Sequence, residues 1–183
     1  MMMFYQFDFI KNTQGALVDV KDTKGRLFSY FILNESGNKF LKYTKPYGEA
    51  QEDITLNNLR FADYLPLNIG IPVFSKRVIE ALKKEVINEI YSYECVVNCE
   101  GQEHTFYMCF INKYLDLIDI EKSDFRVLSD GSPILSKAIY KKDNQGDFYL
   151  ARDKQFKTRL VASKKFVDFC LLNKFHIDFT PAT

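Results

Sequence analysis

A chain of 183 residues, 46% apolar and 27% charged, is long enough to bury a sizeable core and reads as one globular domain over 1–183. The net charge of +1 is spread evenly between the halves, which removes any global electrostatic case for nucleic acid or a membrane surface. No apolar run approaches the roughly 20 residues that span a bilayer. The start MMMFYQFDFI also lacks the basic flank and long apolar centre of an export signal, so the expected compartment is the cytoplasm.

In chain order, Met3 to Ile10 alternates apolar and polar side chains and predicts a half-buried strand. Ala16 to Val20 reads as a short strand or loop. Arg26 to Leu33 reads as a strong strand, with a return strand over Lys39 to Tyr43. Thr44 to Glu52, with Pro46 and Gly48, reads as a loop. Asn57 to Tyr64 reads as a short helix. Residues 1–64 form a candidate N-terminal β subdomain.

The clearest helix follows. Ser75 is a suitable N-cap, and Val78, Ile79, Leu82, Val86 and Ile90 recur at helical spacing, which carries the helix to about Glu89. Tyr93 to Cys99 and Thr105 to Ile111 predict an antiparallel hairpin around Gly101. In the second strand Phe106, Met108 and Phe110 share one face, and Tyr107, Cys109 and Ile111 share the other. Both faces are apolar, so this strand should be covered on both sides.

Tyr114 to Ile120 reads as a further strand, followed by a loop over Ser129 to Pro133 and a strand over Ile134 to Lys141. Asp143 to Gly146 reads as a turn, Asp147 to Ala151 and Thr158 to Ala162 as strands. Ser163 then caps a helix over Lys164 to Leu172 that Asn173 stops, and His176 to Phe179 closes the pattern as a short strand. The expected fold class is α+β, a largely antiparallel sheet with two principal helices packed on it.

Four stretches carry a family resemblance. They are Pro72-Val73-Phe74-Ser75 with its helix, Leu117-Ile118-Asp119-Ile120-Glu121-Lys122-Ser123, Phe148-Tyr149-Leu150-Ala151-Arg152, and Leu160 to Phe166 with the later Ile177-Asp178-Phe179. Over about residues 65–180 the chain resembles immunity protein family eleven of bacterial polymorphic toxin systems, formerly a domain of unknown function. The chain departs from that pattern before its last strand, where Asn173-Lys174-Phe175-His176 stands in place of a glycine turn. The resemblance implies a non-catalytic, cytoplasmic antidote whose partner is a cognate toxin protein. It implies no cofactor and no catalytic residue.

The candidate contact residues are Asp116, Asp119, Glu121 and Asp124, an acidic run that suits a basic toxin cleft. The plainer reading of the same run is a solvated loop in which Asp119 and Ser123 fix a turn. Arg152, Lys154, Lys157, Arg159, Lys164 and Lys165, interleaved with Phe156, invite a phosphate or nucleic-acid reading, but no recognised nucleic-acid motif accompanies them. Cys95, Cys99, Cys109 and Cys170 read as free core thiols; Cys95, Cys99, His104 and Cys109 lack the short-spaced pairs of a zinc site. His104 and His176 could each partner a cysteine, Cys109 or Cys170, as a base, with no third group at recognisable spacing. The alternative class is a small enzyme or ligand-binding protein whose pocket leaves no motif.

Overall fold

A computed structural model describes residues 3–85, 88–142 and 146–182. The fold mixes helix and strand, and its sheets are mostly antiparallel. Where one sheet with two helices was expected, the described residues hold three sheets and four α-helices.

The hairpin of β6 (Ile90–Cys99) and β7 (Gln102–Ile111) is the central wall. Its two-residue turn places Glu100 at φ 50° and Gly101 at φ 79°, the left-handed pair that matches strand twist. Around it lies a six-stranded sheet in the order β2-β3-β6-β7-β5-β4. Here β2 is Val18–Val20, β3 Tyr47–Ala50, β4 Tyr64–Leu65 and β5 Val73–Phe74. The sheet curls until its edges meet. Val18 N donates to Pro66 O at 2.9 Å, Asn68 N donates to Val18 O at 3.2 Å, and Val20 N donates to Asn68 Oδ1 at 3.0 Å.

Closure explains Gly48, which the sequence suggested was a loop breaker. A Cβ there would stand 2.7 Å from Val18 Cγ1, so only glycine lets β3 lie this close to β2 inside the curl. β3 pairs in parallel with β6 and is a strand that the expected loop concealed.

The expected strand Arg26 to Leu33 is helical: α1 (Arg26–Phe28) continues as a π-helical turn over Ser29–Leu33. The cause is local. Asp22 accepts from Leu27 N at 3.1 Å and Phe28 N at 2.9 Å, and Asn34 at φ 55° ends the run. A continuous apolar run fits either period, and here the helical one drops Leu27, Tyr30 and Phe31 into the barrel core. Tyr30 stacks on Phe110 at 4.9 Å and its hydroxyl meets that of Tyr93 at 2.6 Å. Lys39–Lys42 is a 3-10 turn, not a return strand. Helix α2 (Leu56–Phe61) forms behind a Thr55–Asn58 capping box.

Helix α3 (Lys76–Glu85) starts where expected; its continuation through Val86 lies outside the described residues, and Asn88 and Glu89 are not helical. Helix α4 (Lys164–Leu172) has the expected bounds, with Ser163 Oγ accepting from Phe166 N at 3.3 Å. Both helices take part in the second core cluster, between the outer face of the barrel and a five-stranded sheet, β13-β1-β12-β11-β8. Its strands are β1 (Phe4–Phe7), β8 (Tyr114–Leu115), β11 (Leu150–Asp153), β12 (Leu160–Ser163) and β13 (Phe179–Pro181). The expected turn at Asp143 to Gly146 falls on residues 143–145, which lie outside the described residues.

The two faces of β7 divide as expected. Phe106, Met108 and Phe110 belong to the barrel core, while Cys109 and Ile111 belong to the helix-packed core, with Tyr107 against it. A third core cluster, including Phe4, Leu117, Ile118 and Phe148, lies under the excursion from Leu117 to Tyr140. From that excursion projects the third sheet, a two-stranded hairpin of β9 (Asp124–Val127) and β10 (Pro133–Lys137).

Candidate functional site

The acidic run surrounds the foot of this hairpin. The expected strand Tyr114 to Ile120 is only β8, because the chain then leaves the ladder to wrap the buried carboxylate of Asp153. That carboxylate accepts from Leu117 N at 2.9 Å and Ile118 N at 3.0 Å, and from Gln155 N and Phe156 N at 2.9 and 2.7 Å. Four backbone donors on one carboxylate fix the place from which the excursion departs. A bridge from Ile118 to Tyr140 fixes its return.

The four candidate acids divide into two pairs. Asp116 is bound to Lys141, and Asp119 to Lys122 at 2.5 Å. The Lys122 contact, foremost, holds the Asp119 carboxyl below its ordinary value. Ser123 Oγ donates to Asp119 O at 2.7 Å and accepts from Ile139 N at 2.9 Å, so the turn reading is correct for these two residues. Glu121 and Asp124 are exposed and their carboxylates have no ion-pair partner among the described residues.

Beyond them the hairpin carries apolar side chains into solvent. Val127 is 71% exposed, Ile120 46%, and Phe125, Leu128 and Ile134 are more than a third exposed. Leu135 is the buried anchor, and Phe125 rests against Phe156 at 5.9 Å. The tip is rigid in its bonding. Leu128 N donates to Ser132 O at 2.9 Å, and Asp130 Oδ1 accepts from Ser132 N at 2.9 Å. Beside the foot, a cleft of about 660 Å³ is lined by Ile120, Glu121, Tyr140 and Lys142 among others. The exposed apolar tip was missed in the sequence because Asp124 to Val127 is a strand too short to show a period.

The other candidate residues do not converge. Cys95 and Cys99 face the barrel core and Cys109 the opposite cluster. All four thiols are free and buried, and burial pushes Cys95 and Cys170 up to about 12 and Cys109 higher still. Thiols held protonated are poor nucleophiles. No cluster of metal-ligating side chains occurs among the described residues. His176 is exposed beside Phe61, and its backbone N donates to Asp63 Oδ2 at 2.7 Å.

Much of the basic run is tied to other parts of the fold. Arg152 is fully buried, donating to Lys157 O at 3.0 Å and Gly70 O at 3.1 Å, and burial lowers its pKa to about 10. Lys157 Nζ donates to Leu33 O, Arg159 to Leu135 O, and Lys164 and Lys165 pair with Asp168 and Asp147. Arg152, Lys157 and Arg159 bond across the fold, while Lys164 pairs within its own helix, so the run does not form one open face.

Two further clefts occur. One of about 690 Å³ lies beside β2 and α1, with Lys21, Lys24, Arg26, Phe40 and Tyr47 in its lining. One of about 430 Å³ lies between α2 and the residues after α4, with Phe9, Phe61, Leu171 and His176. No helix among the described residues is long and apolar enough to cross a membrane. No family model matches the chain, and no curated protein matches it. The resemblance over residues 65–180 therefore stands on its motifs alone.

Proposed function

We propose that the protein is an immunity factor, a cytoplasmic binding protein that blocks a cognate bacterial toxin domain without turnover. The observation that carries this is the β9–β10 hairpin. It holds Val127, Leu128 and Ile134 in solvent on a projection tied down at its foot by Asp153 and Ser123. Exposed apolar side chains on a fixed projection with a charged rim are what a protein partner buries, over a standard interface of roughly 1,600 Å². Glu121 and Asp124 supply the charge that would steer a basic toxin cleft, and the family motif ending at Ser123 forms the hairpin's foot.

The test is a pull-down of tagged protein co-expressed with the neighbouring open reading frame, read by mass spectrometry and by survival of cells carrying the toxin. A one-to-one complex with a toxin domain is expected. Glu121→Lys with Asp124→Lys should slow association and weaken protection. Full protection by the double variant removes these acids from the reading.

A second reading, a ligand-binding protein or small enzyme, is favoured by the 690 Å³ cleft, whose lining sets Lys21, Lys24 and Arg26 among Leu27, Phe40 and Tyr47, with Asp19, Asp22 and Glu49 also present. A small molecule that stays with the folded protein through purification, with no partner captured, would select it.

A further inference from the structure

The hairpin has one open edge. Leu128 N donates to Ser132 O, so residues 128 and 132 are a hydrogen-bonded pair. Antiparallel ladders alternate bonded and unbonded pairs. Arg126 and Ile134 are then bonded to each other, while the pairs Phe125–Leu135 and Val127–Pro133 turn their backbone groups outward. On the β10 side the outward groups are poor: Pro133 has no N–H, and the register shifts between Leu135 and Lys137. On the β9 side the N–H and C=O of Phe125 and Val127 meet no partner outside the hairpin among the described residues.

Several other edges are guarded. The barrel edges are joined through Val18 and Asn68, β13 ends in Pro181, and β8 is two residues long. An exposed, unguarded strand edge is a template for another chain. The outer side of β6 is also unpaired before Val96, because β3 meets only Val96 to Asn98, but β9 is open along its whole length and exposes Phe125 and Val127 beside that edge.

We infer that the toxin domain docks by adding an extended segment to the free edge of β9, extending the hairpin to three strands. This rests on the immunity reading and specifies how the partner is held. The added strand should be apolar on the face it shares with Phe125, Val127 and Leu135. On the other face, where Asp124 stands opposite Lys137 and beside Arg126, it should be polar, with an acid set against Arg126. Main-chain bonds supply affinity, and this alternation supplies specificity.

The experiment titrates the purified full chain against the purified toxin domain encoded beside its gene. Val127→Pro removes one outward N–H, leaves the bonded pairs 126–134 and 128–132 intact, and places proline where edge strands accept it. Val127→Ala trims the side chain and keeps the N–H. Proline should weaken binding about tenfold or more beyond alanine, as the loss of a buried main-chain bond requires. In wild type, the amides of Phe125 and Val127 should gain protection from hydrogen exchange in the complex. Equal affinity of the two variants, or no gain of protection, overturns strand addition while leaving the toxin reading intact. No binding by the wild type overturns both. A concentration-dependent dimer that proline abolishes would give the edge to a second copy and overturn the inference.

Discussion

Two hairpins in this chain are built by the same ladder rules and meet opposite surroundings. In β6–β7, both faces of β7 are covered, one by the barrel interior and one by the helix-packed core. In β9–β10, every residue of β9 is exposed and only Leu135 of β10 is buried. The first is fixed by burial on both sides. The second is fixed at a few points: at its foot by Asp153 and Ser123, along its length by buried Leu135 and its carbonyl bond from Arg159, and at its tip by Asp130. The difference teaches that this fold separates stability from display: apolar side chains hold one hairpin in place and are presented to solvent by the other.

Substitutions of matched chemistry break or sharpen the contrast. Met108→Ala in β7 should lose about 2–5 kcal/mol in urea unfolding, from lost burial and the cavity left behind. Val127→Ala in β9 should change stability by under about 0.5 kcal/mol, as exposed positions do. Equal losses would mean that β9 is structurally buried and the contrast is false.

Next in size is the clamp beside the buried hairpin. Asp63 is 2% exposed, accepts from Ser75 Oγ at 2.5 Å, and is bound by Arg77. Burial alone would raise its pKa, but Arg77 and Ser75, which bond its charged form, outweigh burial and hold it below the usual carboxylate range. A carboxyl depressed in the folded state adds stability above its unfolded value, about 3.9, which is lost as pH falls through the folded one. Thermal melts should therefore fall on acidification below about pH 4, and Asp63→Asn should flatten that fall. Asp63→Ala should cost about 3 kcal/mol at neutral pH by leaving Arg77 and Ser75 unsatisfied. An unchanged acid limb in Asp63→Asn would assign the pH dependence to other groups.

The smallest expected effect is a gain. Glu100 holds φ 50° at the β6–β7 turn, where Asn is better suited. Glu100→Asn should raise stability by about 0.5–1 kcal/mol, measured by denaturant midpoint. The corresponding turn of β9–β10 should offer no such gain, because its left-handed position is already a glycine, Gly131 at φ 85°.

Much of this was legible where side-chain period and turn chemistry agree. The β6–β7 hairpin, both covered faces of β7, and α4 with its Ser163 cap all follow from spacing alone. Legibility failed where a distant contact decides. Arg26 to Leu33 is helical because Asp22 caps it and the barrel core takes Tyr30 and Phe31; its apolar run could not announce that. Gly48 reads as a breaker until Val18 is seen against it. Ser75 has the look of a cap, yet its hydroxyl donates to Asp63, twelve residues back. At the candidate site the acids were visible, but their division into paired Asp116 and Asp119 and open Glu121 and Asp124 depends on Lys141 and Lys122. The open edge of β9 depends on the pairing register, which no composition reveals.

The place of β1 has a consequence in time. Phe4 and Tyr5 pair with Ser163 and Ala162, and Tyr5 to Phe7 also pair with Phe179 to Pro181. At roughly 5–20 residues per second of synthesis, β1 waits on the order of 10–30 s for its neighbours to leave the ribosome. The barrel, spanning Val18 to Ile111, has all its strands long before that. The aromatic segment Phe4-Tyr5-Gln6-Phe7 therefore cannot complete its pairing until β12 and β13 have been made.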